Sequence, residues 1–228
     1  MHLRRNSLKR QGDTNAIQSH AQHCQSVGRI SRRRNPPPPT TPRVKTCAIL
    51  LFMPNYRRAF VPGGCWFFTV NLLERRQTLL IDHIATLREA VARTRQSRPW
   101  TIDAFVVLPD HLHAVWTLPP GDADFSTRWR LIKSRFARAL PKREWLSSVR
   151  IARSERGIWQ RRFWEHLIRD EADYARHVEY CYINPVKHHL VTRVRDWPHS
   201  SFHRDVHAGI VSVDWAGEVE QNGDFGEC

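Results

Sequence analysis

The sequence predicts an α+β sandwich built on a small antiparallel sheet, from two observations. The elements run in the order β-α-β-β-α-β-α. Two of the strands, Ile102–Leu108 and His111–Leu118, are separated only by Pro109-Asp110, which forces an antiparallel hairpin with a tight turn. The first strand is Cys65 to Leu72, rich in aromatic and β-branched residues behind the breaker Gly63-Gly64. A helix follows over Asp82–Arg95, with Ile84, Leu87 and Val91 at helical spacing and Asp82 as its N-cap. After the hairpin and a loop from Gly121 to Phe125, a second helix starts near Ser126. It carries Trp129, Ile132, Phe136 and Leu140 on one stripe and ends at Pro141. Lys142 to Gly157 reads as a basic loop or insertion, and Trp159 to Ile168 as another strand. Glu171 to Asn184 is a third helix, which Pro185 is expected to stop.

The charge narrows the partner. The 228 residues carry 36 Lys+Arg against 22 Asp+Glu, a formal net charge of +14, and the pI is about 10.6, a balance that points to a polyanion. The longest apolar run, Cys47 to Met53, has seven residues and falls far short of the roughly 20 that a membrane span needs. Five scattered cysteines (Cys24, Cys47, Cys65, Cys181 and Cys228), with no Cys-x-x-Cys pair, argue against a disulfide framework or a thiolate zinc site and for a reducing cytoplasm. Arg4-Arg5 is followed by no apolar stretch, so no export signal is expected, although the Arg-rich, acid-poor start also suits a transit peptide.

The charge is also uneven. Residues 1–52 hold ten basic residues, one acid and a single aromatic, Phe52, together with Arg32-Arg33-Arg34 and Pro36 to Pro39; such a segment cannot form a core and reads as a disordered basic extension. Residues 214–228 hold five acids and no bases, an acidic C-terminal tail. Residues 53–213 hold 26 basic and 16 acidic residues, a net +10, and are the part expected to fold and bind.

Three groups of residues could carry chemistry. His111 and His113 lie at i and i+2 on a strand, so both imidazoles share one face and make half of a metal site; alone, the pair reads more readily as surface or satisfied histidines. On the third helix, Tyr180 and Asn184 are one turn apart on one face. A phenol beside an amide ligand is what a metal-assisted tyrosine nucleophile requires. Taken alone, Tyr174, Val178, Cys181 and Tyr182 read as core, with Tyr180 as one more amphipathic tyrosine. His199, His203 and His207 are spaced by four and could line a helix face, but no acid completes a site there. Basic residues interleave with aromatics around Arg130 and Lys133, and again in Arg161, Arg162 and Trp164, a pattern suited to phosphates and unpaired bases.

In order along the chain, these strings resemble one family, the REP-associated tyrosine transposases, single-tyrosine members of the HUH nuclease superfamily. The resemblance runs from about Asn55 to Gly217 and is carried by Asn55 to Arg58, Trp66 to Asn71, Val106 to His113, Trp159-Gln160 with Phe163 to His166, Tyr180-x-Tyr-Ile-Asn-Pro-Val-Lys187, Trp197 to Phe202 and Asp214 to Gly217. It implies a ferredoxin-like sandwich (the HUH nuclease fold), with His111, His113 and Asn184 as ligands of a divalent metal, Mg²⁺ or Mn²⁺, and Tyr180 as the nucleophile. Asn184 stands where insertion-sequence relatives often carry Gln. The implied substrate is single-stranded or hairpin DNA at palindromic repeats, cleaved and rejoined through a 5′-phosphotyrosine, with Arg57, Arg58, Arg130, Lys133, Arg161, Arg162, Trp164 and Lys187 expected to hold the DNA. A monomer located in the cytoplasm, on the nucleoid when DNA-bound, is the accompanying expectation. The family match begins close to Met53, so residues 1–52 are expected to be either a mis-assigned start or a dispensable extension. Two rival readings use the same residues: a non-catalytic binder of palindromic DNA or RNA, and a metal-dependent phosphohydrolase that uses water while Tyr180 is structural.

Overall fold

The computed structural model describes residues 59–142, 146–153, 155–217 and 225. Four antiparallel strands form one sheet: β1 (Cys65–Asn71), β2 (Thr101–Val107), β3 (His111–Thr117) and β4 (Trp164–Leu167), in the order β2-β3-β1-β4. The helices are α1 (Leu79–Asp82), α2 (Ile84–Ser97), α3 (Phe125–Ala139), α4 (Ser148–Ala152), α5 (Glu171–Lys187) and α6 (Phe202–His207). The predicted hairpin is β2–β3, and β1 pairs along all of β3, from Cys65 opposite Thr117 to Asn71 opposite His111.

All seven residues of β1 are buried, because helices cover both faces of the sheet. On one face Trp66, Phe68, Leu112, Ala114 and Trp116 meet Leu87 of α2 and Trp129, Ile132 and Phe136 of α3. Trp116 and Trp129 stack with ring centroids 4.1 Å apart. On the other face Phe67, Ala104, Val106 and Val115 meet Tyr174, Val178 and Cys181 of α5. The period-2 alternation of β1 and β3 thus supplies two cores, and His111 and His113 share the α5 side with Val115.

Four local expectations change. Asp82 does not cap the long helix: it closes the short α1, where its carboxylate accepts from the Thr78 hydroxyl at 2.7 Å, and α2 begins after His83. α3 starts at Phe125 and is capped by Asp124, whose side chain accepts from the Thr127 N–H at 2.9 Å. Only Trp164–Leu167 of the 159–168 segment is strand, because β4 lies at the sheet edge and pairs with β1 alone, while Trp159 makes an isolated bridge to Leu72. Within 142–157, α4 forms and Arg156 reaches back to the carbonyls of Leu140 (3.1 Å) and Pro141 (2.9 Å), satisfying acceptors at the end of α3.

The difference that matters most for the site is at Pro185. The helix runs through it to Lys187, with the His188 N–H donating to the Asn184 carbonyl at 3.0 Å. Pro185 lies in the last turn, so it forfeits a single hydrogen bond, and its buried ring packs in the core. Continuation of the helix keeps Lys187 in register with Tyr180, two turns earlier.

Candidate active site

His111 and His113 are both buried, with ring centroids 5.0 Å apart. Their neighbours fix which nitrogen each presents. The Asp110 carboxylate can only accept, so Nδ1 of His111, 2.6 Å from its Oδ1, must be the donor. Arg75 holds the other Asp110 oxygen and also donates to Oδ1 of Asn71 at 2.7 Å, so the carboxylate is braced. His113 faces Thr69, the residue directly opposite on β1. The Thr69 hydroxyl donates its one proton to the Phe225 carbonyl at 2.5 Å, so it accepts from Nδ1–H of His113 at 2.8 Å. Both imidazoles therefore carry a proton on Nδ1, so that in the neutral ring Nε2 is the nitrogen able to act as a ligand, the arrangement outer partners impose on metal-binding histidines.

α5 brings the helix residues to the same place. Its start is fixed by Asp170, which accepts from the Asp173 N–H at 2.8 Å. The Tyr180 ring packs edge-on against His113 with centroids 5.2 Å apart, and Asn184, fully buried, follows one turn later. Nε2 of His111 and Oδ1 of Asn184 are buried atoms. Two imidazole nitrogens and an amide oxygen make a mixed N/O donor set, which suits a small divalent cation. The residues present therefore fit such an ion.

Tyr180 is distinguished from its neighbour Tyr182. The Tyr182 hydroxyl donates to Asp205 at 2.6 Å, and burial followed by the Asp205 charge pushes its ionisation far above the usual range. Tyr182 is a core residue that cannot become a nucleophile. The Tyr180 oxygen instead accepts from Nζ of Lys187 at 2.8 Å. Phe225 lies flat on the Tyr180 ring, with centroids 3.6 Å apart and planes 13° apart, so one face of that ring is covered.

A second cluster, His166, Asp173 and His177, brings three potential ligand atoms within 4.8 Å of one another. Its hydrogen bonds identify it as structural. Asp173 accepts from Nε2 of His166 (2.9 Å), from the N–H and Nε of Arg169 (3.1 and 3.0 Å) and from Arg176 (2.8 Å). Burial would raise the pKa of this carboxyl, but the hydrogen bonds from His166, Arg169 and Arg176 more than reverse that and hold it far below the usual carboxylate range. The His177 ring stacks on His166 at 4.6 Å and its Nδ1 donates to the Asp173 backbone carbonyl at 2.7 Å. A cation placed there would face two guanidinium groups.

The residues expected to hold DNA are distributed more widely. Arg57 and Arg58 lie outside the described residues. Arg130 and Arg162 are exposed. Lys133 donates to the Gln160 carbonyl at 2.9 Å and lies 5.3 Å from the Phe163 ring centroid. Arg161 pairs with Glu155 at 2.9 Å. Trp164 is half-buried beside the site, stacked parallel to His166 and edge-on to Phe67. The third histidine group does not converge: Nε2 of His203 faces the Trp197 carbonyl and Nδ1 of His207 the His203 carbonyl, while His199 precedes the helix. Reading the sequence residue by residue missed Thr69, Asp110, Asp173 and Phe225. Asp110 alone had a local signal, because a carboxylate immediately before a His-x-His strand is an available orienting partner.

No protein-family model matches the chain. Individual proteins do. The chain is 51% identical over 167 residues to the REP-associated tyrosine transposase of Escherichia coli K12, a match covering 73% of this chain and 93% of that protein. It is 48% identical over 169 residues to a Haemophilus influenzae protein provisionally given the same name, covering 74% and 96%. A solved structure of a REP-associated tyrosine transposase bound to a REP hairpin superposes with a TM-score of 0.67 at 49% identity, covering 77% of this chain and 98% of that one. No helix among the described residues is long and apolar enough to cross a membrane. Tyrosine transposases of this kind are enzymes of the HUH type, which work with a divalent cation. With about half of the aligned residues identical across nearly the full length of these relatives, and a strand pair of histidines facing a helix tyrosine, the chain belongs to the REP-associated tyrosine transposases.

Proposed function

We propose that this protein cleaves and rejoins single-stranded DNA at palindromic hairpins through a 5′-phosphotyrosine on Tyr180. The observation that carries the reading is the meeting of Tyr180 with His113 across the α5–sheet interface, at 5.2 Å between rings, with Asn184 one turn further along the same helix. The solved relative bound to a REP hairpin supports the substrate class.

His111, His113 and Asn184 would hold the cation, Mg²⁺ or Mn²⁺. When bound, it supplies charge neutralisation at the scissile phosphate. The chain's own residues do the rest. Asp110 and Thr69 hold the two imidazoles in the Nδ1–H tautomer. α5 sets the phenol of Tyr180 beside them. The phenol oxygen attacks phosphorus in line, the P–O3′ bond breaks, and a free 3′-hydroxyl leaves. One phosphoester replaces another, so a second 3′-hydroxyl reverses the step without an external energy source. Arg57, Arg58, Arg130, Lys133, Arg161, Arg162 and Trp164 hold the strand and the hairpin, so affinity falls steeply with salt.

The functional unit in this reading is residues 53–213 together with Phe225 of the acidic tail 214–228, whose ring and carbonyl meet Tyr180 and Thr69; the basic extension 1–52 precedes it, and the protein resides on the nucleoid when DNA-bound. The histidines and the tyrosine come from one chain, which supports a monomer. Incubation with labelled hairpin DNA and Mn²⁺ should yield an SDS-resistant adduct that Tyr180→Phe abolishes with hairpin affinity retained. Turnover to a free 5′-phosphate with no adduct would instead favour a water-using phosphohydrolase.

A further inference from the structure

We propose that Lys187 is a catalytic residue, whose ammonium donates to the phenol oxygen of Tyr180 and stabilises the negative charge that this oxygen carries as it attacks and as it leaves. The inference rests on Tyr180 being the nucleophile and assigns to Lys187 a task other than holding DNA backbone.

Three observations carry it. Nζ of Lys187 lies 2.8 Å from the Tyr180 oxygen, a hydrogen-bond distance with Lys187 as donor. The same nitrogen lies over the Tyr180 ring at 4.7 Å from its centroid, within cation–π range, so the ammonium is held against the phenol as well as at its oxygen. The contact is also built into the helix. Seven residues advance ~700° at ~100° each, which returns Lys187 to within ~20° of Tyr180 two turns later. That register exists only because α5 continues through Pro185 to Lys187. With Phe225 flat on one face of the ring and His113 against its edge, the phenol has little freedom to turn its oxygen elsewhere.

The chemistry balances with Lys187 acting only as a hydrogen-bond donor and transferring no proton. In cleavage the Oη–P bond forms and the P–O3′ bond breaks; the phenol releases one proton to water and the departing 3′-oxygen takes one. In joining, an incoming 3′-oxygen forms the P–O bond while the P–Oη bond breaks and the Tyr180 oxygen leaves with the electron pair. A fixed cationic donor at that oxygen lowers the barrier in both directions, whereas a phosphate contact elsewhere would strengthen binding and leave the chemical step alone.

The test separates these roles. Under single-turnover conditions, with the full chain in excess over a labelled hairpin and Mn²⁺ saturating, Lys187→Met should slow adduct formation by ~100- to 1000-fold, the usual effect of removing one donor to a developing oxyanion. Hairpin Kd should stay within ~3-fold, with an unchanged slope of log K against log salt. Lys187→Arg, which keeps the charge, should retain an intermediate rate and guards against a folding defect in the first variant. A wild-type single-turnover rate in Lys187→Met, with weaker binding and a salt slope lower by about one, would overturn the proposal in favour of a phosphate contact. Tyr180→Phe run in parallel tells the two claims apart. An adduct that persists in Tyr180→Phe overturns the nucleophile and this proposal together, whereas loss of that adduct beside a wild-type rate in Lys187→Met overturns this proposal alone.

Discussion

Replacing Asp173 by Asn should destabilise the protein without touching any reacting atom, because Asp173 anchors the start of the helix that carries Tyr180. Its carboxylate is 1% exposed and accepts from His166, Arg169 and Arg176 in the first turn of α5. The amide has nearly the same shape but loses the charge, turns one acceptor into a donor facing Arg169 and His166, and gives up the favourable interaction with the helix N-terminus. Breaking a buried ion pair costs about 3–5 kcal/mol when the partner stays buried and uncompensated. Here the Arg169 and Arg176 side chains are 65% and 46% exposed and can return to water, so about 2–3 kcal/mol is the better figure. For a domain of this size that corresponds to a Tm lower by roughly 5–10 °C. The pH dependence has a definite sign. A carboxyl held below its usual pKa of 3.8 contributes stability above that value and loses it as pH falls through the folded-state value. Thermal melts of wild type and Asp173→Asn should therefore differ by a constant amount from about pH 8 to 5, begin to converge below about pH 4 and meet only as pH reaches the folded-state value. A Tm change under about 2 °C at pH 7, or a Tm of the Tyr180→Phe, His111→Ala variant that drops when a chelator is added, would refute the structural role and point to a metal at this cluster.

Other consequences follow from the same geometry. Thr69→Val removes the acceptor for Nδ1–H of His113 and leaves the Phe225 carbonyl without its donor, so Mn²⁺ affinity measured by calorimetry should fall about 10- to 100-fold and the Tm should fall as well. Burial pushes the pKa of His177 down to about 4. Between pH 6.5 and 4 the unfolded chain therefore binds a proton that the folded one does not, and stability falls as pH drops by on the order of 3 kcal/mol. His177→Gln should flatten urea-derived stability over that interval, and an unchanged slope would contradict the assignment. Trp129→Ala, in the fully buried stack on Trp116, should cost about 3–5 kcal/mol in chemical denaturation.

What the sequence reveals and what it hides divide along one physical line. His111 and His113 are legible because strand periodicity alone puts both on one face, and Tyr180 with Asn184 because helix periodicity does the same. The hairpin is legible from two residues of turn chemistry. The partners that give these side chains their chemical state come from pairings distant in sequence. Thr69 meets His113 because β1 runs antiparallel to β3 in one particular register, and a one-residue slip would remove the contact. Phe225 reaches Tyr180 from 45 positions down the chain, and no local pattern announces it. Pro185 misleads for a different reason: its helix-breaking tendency is a local preference, and packing of the last turn of α5 overrides it. Lys187 consequently reads in sequence as one more basic residue, when its place is at the phenol of Tyr180.

The central claim is that Tyr180 is the residue that becomes joined to DNA. Proteolysis of the adduct formed on hairpin DNA with Mn²⁺, followed by mass spectrometry of the nucleotide-bearing peptide, tests it directly. The account predicts a single modified peptide containing Tyr180, with the nucleotide linked through a 5′-phosphate to its oxygen. A modification on Tyr182 or Tyr174, or a linkage to any other residue, would contradict it.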